Sequence, residues 1–193
     1  MNKNMEKIDF SASDFGGFSD GEDILVDTCI LLAYLNSYDS WCEVVTELFD
    51  KHILSEDLDK TLFLYINPCV LNEIMYLTGE NRTIQHYMRK HRSETVTDEE
   101  IEEVERKTVH ALRILIENDI LIPLVANKET YLRQMNTYKE LGSADSFNAS
   151  LANDYGISFL TVDNRLVENI EKNISNFPDL GKVYYAPPEK QSY

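Results

Sequence analysis

The sequence predicts an α/β protein, a three-layer α/β/α sandwich around a central parallel sheet of about five strands. Apolar runs rich in β-branched and aromatic residues alternate with stretches of helical spacing along the 193 residues. Strands that alternate with helices pair in parallel and are covered on both faces. Two of the runs also end in Asp, which is where ligands meet the carboxyl edge of such a sheet.

The elements follow in order. Residues 1–20 hold Ser, Gly, Asp and Lys without an apolar h-region, so they read as a polar N-terminal tail and not as a secretory signal. The expected strands are Asp23–Val26, Leu62–Ile66, Ile120–Val125, Ile157–Thr161 and Lys182–Tyr185. Helical patterns at Thr28–Asn36 and Trp41–Lys51 follow the first strand, and Val70–Leu77 follows the second, with Asn67 and Pro68 as its start. A long polar stretch, Arg82–Asn118, precedes the third strand. It includes an acidic helix start for which Thr97 is the expected N-cap. Tyr131–Leu141 and Ala144–Tyr155 separate the third strand from the fourth, with Ser143 as an expected cap and Gly156 as a stop. One domain over 21–187 results, with a helical insertion around 79–118 and a short C-terminal tail at 188–193.

Composition bounds the function. No apolar run approaches the roughly 20 residues that cross a bilayer, so no membrane role is expected. Cys29, Cys42 and Cys69 are odd in number and lack CxxC spacing, which argues against a disulfide framework or a zinc knuckle and for a reduced, cytoplasmic setting. The formal net charge of −16 runs against an electrostatic nucleic-acid binder. A polyanionic substrate would need bound cations, or a basic partner would cover part of the surface.

Four acidic phrases carry the candidate chemistry. Asp27 ends the first strand in ILVDT, and Glu73 lies one turn inside the helix of NPCVLNE. Asp145 opens a helix in SADSF, and Asp163 ends the fourth strand in FLTVDN. Taken singly, each has an ordinary structural reading as a cap or as a partner of a helix dipole. Together they are harder to dismiss. The 18-residue step from Asp145 to Asp163 fits one helix, one glycine turn and one strand, which returns the chain to the same sheet edge. Four carboxylates meeting there would repel one another unless a cation lay between them. All-oxygen ligation suits Mg²⁺ or Mn²⁺ and not zinc.

These phrases resemble the PIN (PilT N-terminal) domain family, including the VapC-type toxin ribonucleases, over about Asp23 to Leu166. The matching segments are ILVDTCILLAYL, NPCVLNEIMYL and SADSFNASLANDYGISFLTVDNRL. The resemblance implies a Rossmann-like sandwich and a metal-dependent endoribonuclease, with an antitoxin as partner and pairing into a homodimer, for which Leu31, Leu32, Tyr34 and Leu35 either supply apolar surface or are ordinary core. It implies Asp27, Glu73, Asp145 and Asp163 as catalytic and metal-holding residues, with Thr161, Thr28 and Asn164 in support. The 72-residue step from Glu73 to Asp145 departs from the small toxin members. The one basic cluster, Asn81–Arg92, offers Arg82, Arg89, Lys90 and Arg92 as a phosphate rail along an RNA substrate, or as a solvated helix face paired with the acidic run after it.

Two alternatives compete. A haloacid-dehalogenase-type phosphatase needs Asp-x-Asp after the first strand, but Cys29 stands at the second position. A catalytically silent PIN-fold module that binds a protein or RNA partner is consistent with the net charge.

Overall fold

The computed structural model describes residues 5–55, 60–78 and 97–191. Its sheet has six strands, all parallel: β1 (Lys7–Asp9), β2 (Glu22–Val26), β3 (Leu62–Ile66), β4 (Leu121–Pro123), β5 (Ser158–Leu160) and β6 (Val183–Tyr185), in the order β1-β6-β5-β2-β3-β4. The described helices are α1 (Thr28–Leu35), α2 (Cys42–His52), α3 (Pro68–Thr78), α4 (Asp98–Glu117), α5 (Lys128–Leu141), α6 (Ser143–Tyr155) and α7 (Asn164–Lys172).

The three layers follow from the two-residue period of β2. Ile24 and Val26 point to one face, where they pack with Leu64, Ile66, Ile30, Val45, Phe49, Leu112 and Leu115 from α1, α2, α4 and the neighbouring strand. Leu25 points to the other face and joins Phe159, Val183, Leu151, Ala152, Leu166 and Ile170 beneath α6 and α7. The expected α/β/α sandwich is therefore present, with one strand more than the five read from the sequence.

That extra strand lies in the segment read as a polar tail. Lys7–Asp9 pairs with Val183–Tyr185, and the Phe10 N–H donates to the Tyr185 carbonyl at 2.9 Å. Phe18 is 2% exposed and meets the Tyr184 ring edge-on at 4.8 Å. The strand covers an edge of β6 that would otherwise present unpaired backbone groups. It is too short, and too far in sequence from its partner, to show a period of its own.

Local signals explain most boundaries. Thr97 caps α4 as expected, within a reciprocal capping box with Glu100. Gly156 stops α6 in the left-handed region at φ +65°. Ser143 does not cap α6. It is the first helical residue, and the cap is Gly142 at φ +102°, ψ +161°, a conformation reserved almost wholly for glycine.

Helix α1 turns Ile30, Leu31 and Ala33 inward and stacks Tyr34 on Phe49 of α2 at 4.0 Å. Leu31 and Tyr34, read either as surface for a second copy or as core, thus pack within the chain. Cys29, Cys42 and Cys69 are all free thiols. Among the described residues no helix is long and apolar enough to cross a membrane.

Candidate functional site

Strand order locates the site. From β2 the sheet grows one way through β3 and β4 and the other way through β5 and β6. The order therefore reverses between β2 and β5, and the crevice outside their carboxyl ends is the usual ligand site of an open α/β sheet. Asp27 is the residue after β2, and Asp163 follows β5 by three residues.

Asp27 is 5% exposed and accepts four hydrogen bonds. Its Oδ1 takes the Thr28 N–H at 2.8 Å and the Asn148 Nδ2 at 3.3 Å. Its Oδ2 takes the Thr161 hydroxyl at 2.7 Å and the Cys29 thiol at 3.2 Å. Burial pushes its carboxyl upward, opposed by the Thr161, Cys29 and Thr28 donors, while the Glu73 charge adds to the rise.

The other acids arrive from three different elements. Glu73 sits on α3 with its Oε2 accepting from the Thr28 hydroxyl at 2.8 Å, which ties α3 to the start of α1. Asp163 caps α7, its Oδ1 accepting from the Leu166 N–H at 2.9 Å. Asp145 lies in the first turn of α6. Burial first, and then the charges of Asp27, Asp163 and Glu73, push the Asp145 carboxyl up to about 7, with Arg165 pulling weakly the other way. The charges of Asp27, Asp163 and Glu73 act on Asp145, and that of Glu73 acts on Asp27, which marks the four acids as neighbours.

The contrast with Glu22 at the opposite end of β2 is instructive. Burial works to raise that carboxyl too, but the Ser19 N–H, the Tyr184 and Ser158 hydroxyls and Lys182 hold it below its usual value. Glu22 has its countercharge and donors within the protein. Asp145 has one weak cationic influence and three anionic ones.

Supporting residues fall into two groups. Thr161 and Thr28 touch the acids directly, and Thr161 Oγ1 also accepts the Asp163 N–H at 3.0 Å. Asn164 faces elsewhere. Its Nδ2 donates to the Ala186 carbonyl at 2.8 Å and the Val162 carbonyl at 3.3 Å, which fastens α7 to the end of β6. Arg82, Arg89, Lys90 and Arg92 lie outside the described residues.

Sequence reading missed Asn148, Asn67, Cys29 and Arg165. Asn148 is 1% exposed in α6 among the buried polar residues Ser146, Ser150 and Asn153, so no contrast with its neighbours in sequence singles it out. Arg165 follows TVDN by one residue and is the cation nearest in effect to Asp145.

The donor set suits a hard divalent cation in chemistry, since every acid offers oxygen and none of the four is paired with a lysine or arginine in a salt bridge described in the structure. Among the described residues, however, no group of three or more His, Cys, Asp or Glu side chains stands close enough together to hold a metal ion as it is. Closing on a cation calls for side-chain rotation, which the exposed positions of Glu73 and Asp163 allow.

No family model matches the chain, and no curated protein matches it. Solved structures do. FitAcB from Neisseria gonorrhoeae matches at 14% identity and a TM-score of 0.47, covering 83% of this chain and 96% of that one. VapBC2 from Rickettsia felis, bound to a DNA fragment from its promoter, matches at 16% and 0.46, covering 84% and 98%. FitAB bound to the IR36 DNA fragment matches at 13% and 0.47, covering 84% and 94%. These findings correct the PIN resemblance drawn from the acidic phrases. No family model supports membership, and likeness at this identity and TM-score carries no argument about family, substrate or partner.

Proposed function

We propose that the protein is a metal-dependent hydrolase of phosphodiester bonds, an endoribonuclease acting on RNA. One observation carries the reading. Four carboxylates from the end of β2, from α3, from α6 and from the β5–α7 turn lie at the switch point of the sheet, where burial first and then the charges of the other three push Asp145 up to about 7. Acids held against their own repulsion at a ligand-binding edge mark a functional site more often than a structural one.

In this reading Asp27, Asp145 and Asp163 are the residues that hold Mg²⁺ or Mn²⁺, with Glu73 beside them. A bound divalent cation supplies Lewis-acid stabilisation of charge at a phosphoryl oxygen and makes water more acidic. The remaining work belongs to the chain. Thr161 and Asn148 fix the plane of the Asp27 carboxylate. Thr28 orients the Glu73 carboxylate, which accepts the proton of the attacking water. Arg165 meets the phosphate of the substrate and offsets some of the negative charge around it.

The test is incubation of the purified protein with labelled single-stranded RNA and single-stranded DNA, in Mn²⁺ and in EDTA. Cleavage of RNA in Mn²⁺ alone is expected, and preference for DNA would transfer the activity to the other nucleic acid. No cleavage of either, together with no Mn²⁺-dependent rise in melting temperature, removes the hydrolase reading.

A second reading rests on the net charge of −16 and on the absence, among the described residues, of a ready-made ion-binding group. In it the protein is catalytically silent and binds a basic protein partner, such as an antitoxin, across its acidic surface. A toxin with an antitoxin would combine the two readings. Retained binding of a basic partner by an inactive protein would favour the silent form.

A further inference from the structure

Two buried amides connect the acids in a way that none of the four acidic phrases requires. Asn67 is 2% exposed and Asn148 is 1% exposed. Asn67 Oδ1 accepts the N–H groups of Cys69 at 2.8 Å and Val70 at 3.2 Å, and so caps α3, the helix that carries Glu73. Its Nδ2 donates to Asn148 Oδ1 at 2.9 Å. Asn148, three residues after Asp145 on α6, then donates its own Nδ2 to Asp27 Oδ1 at 3.3 Å.

A carboxamide has one accepting end and one donating end. The two lone pairs of Asn67 Oδ1 are committed to the helix cap, so only its NH₂ can face Asn148. That forces the Asn148 carbonyl toward Asn67 and the Asn148 NH₂ toward Asp27. The direction of the second amide is thus dictated by the cap of α3.

We propose that Asn67 and Asn148 are positioning residues that form a directional relay. The relay holds three of the four acids in register, through the end of β2, the start of α3 and the first turns of α6, and keeps a hydrogen-bond donor aimed at Asp27. The geometric part stands by itself; the consequence for cation binding rests on the proposed function. Residues that orient a ligating carboxylate typically change metal affinity by about 10- to 100-fold when altered.

Asn67→Asp tests it. An aspartate at this position still caps α3, because it offers the same acceptor oxygen. The carboxylate oxygen that then faces Asn148 replaces a donor whose described partner is Asn148 alone, whereas Asp27 Oδ1 keeps the Thr28 N–H, so the Asn148 NH₂ is drawn to residue 67 and its carbonyl turns toward Asp27. Asn67→Ser also caps a helix start but leaves the Asn148 amide unbiased instead of reversed. Two measurements are made on folded, full-length variants. The first is NMR in EDTA, following the NOE between the Asn148 carboxamide protons and the Thr28 amide proton, both of which point at Asp27 Oδ1. The second is Mn²⁺ affinity by calorimetry, read beside the melting temperature.

The NOE is expected in the unaltered protein and lost in Asn67→Asp. Mn²⁺ affinity is expected to fall about tenfold in Asn67→Asp and less in Asn67→Ser. The fall opposes the simple effect of an added negative charge, which would strengthen cation binding. Retention of the NOE in Asn67→Asp overturns the relay, as does a folded variant whose affinity is unchanged. If the unaltered protein binds no Mn²⁺, the proposed function fails, and the NMR measurement alone decides the relay.

Discussion

Thr161 holds Asp27 from the neighbouring strand. Its hydroxyl donates to Asp27 Oδ2 at 2.7 Å while accepting the Asp163 N–H at 3.0 Å. One buried side chain thereby fixes the acid that ends β2 relative to the acid that follows β5. Thr161→Val keeps the shape and removes both bonds. The expected result is a loss of about 1–3 kcal/mol of stability, the scale for stranding a buried polar group, together with slower cleavage. Urea denaturation and initial rates on RNA measure the two effects separately.

Asp145→Asn separates repulsion from function. Removing one charge from the cluster is expected to raise the melting temperature in EDTA, since Asp145 is pushed up by burial and by three neighbouring carboxylates. The same change is expected to diminish the rise in melting temperature on adding Mn²⁺. An Asn variant that is less stable in EDTA, or equally responsive to Mn²⁺, would contradict the crowding.

The pH dependence of stability has a definite sign. Asp145 moves from 3.8 to about 7 on folding, so the folded state binds more protons than the unfolded one between those values. Glu22, held below its usual value, works the other way, but the Asp145 contribution to the stability of the cation-free protein falls as pH rises from about 4 to about 7 and flattens above. The raised Asp27 carboxyl works in the same direction. Thermal melts in EDTA should show the unaltered protein losing stability relative to Asp145→Asn as pH rises across this window.

Gly142 supplies the turn that places Asp145. With φ at +102° and ψ at +161°, it joins the end of α5 to the start of α6. An added Cβ would meet only Asp145 Oδ2, at 3.5 Å, so the cost of Gly142→Ala is backbone strain and not a clash. A loss of about 1–3 kcal/mol is expected from chemical denaturation.

How much of this was readable in the sequence depended on whether a signal was local. The four acids and the strands bearing two of them follow apolar runs with clear boundaries, and Thr97, Pro68 and Gly156 punctuate helices by their own chemistry. Strand β1 was not readable, because Lys7–Asp9 gains its identity only by pairing with β6 more than 170 residues later. Helix α7 escaped notice because it is short and follows directly on the acidic turn. Asn67 and Asn148 look unremarkable apart, since their meaning lies in a hydrogen bond across 81 residues. The family resemblance rested on the acidic phrases and the strands and helices around them, a pattern that no family model upholds. The Asn81–Arg92 cluster, read either as a phosphate rail beside the acids or as a solvated helix face, lies outside the described residues.

Asp27, Glu73, Asp145 and Asp163 are proposed to hold a divalent cation together. Anomalous diffraction from a crystal of the protein soaked in Mn²⁺ tests it most directly. The account predicts a peak among Asp27, Asp145 and Asp163 that disappears in Asp27→Asn crystals treated in the same way. A Mn²⁺-soaked crystal with no peak there would contradict it.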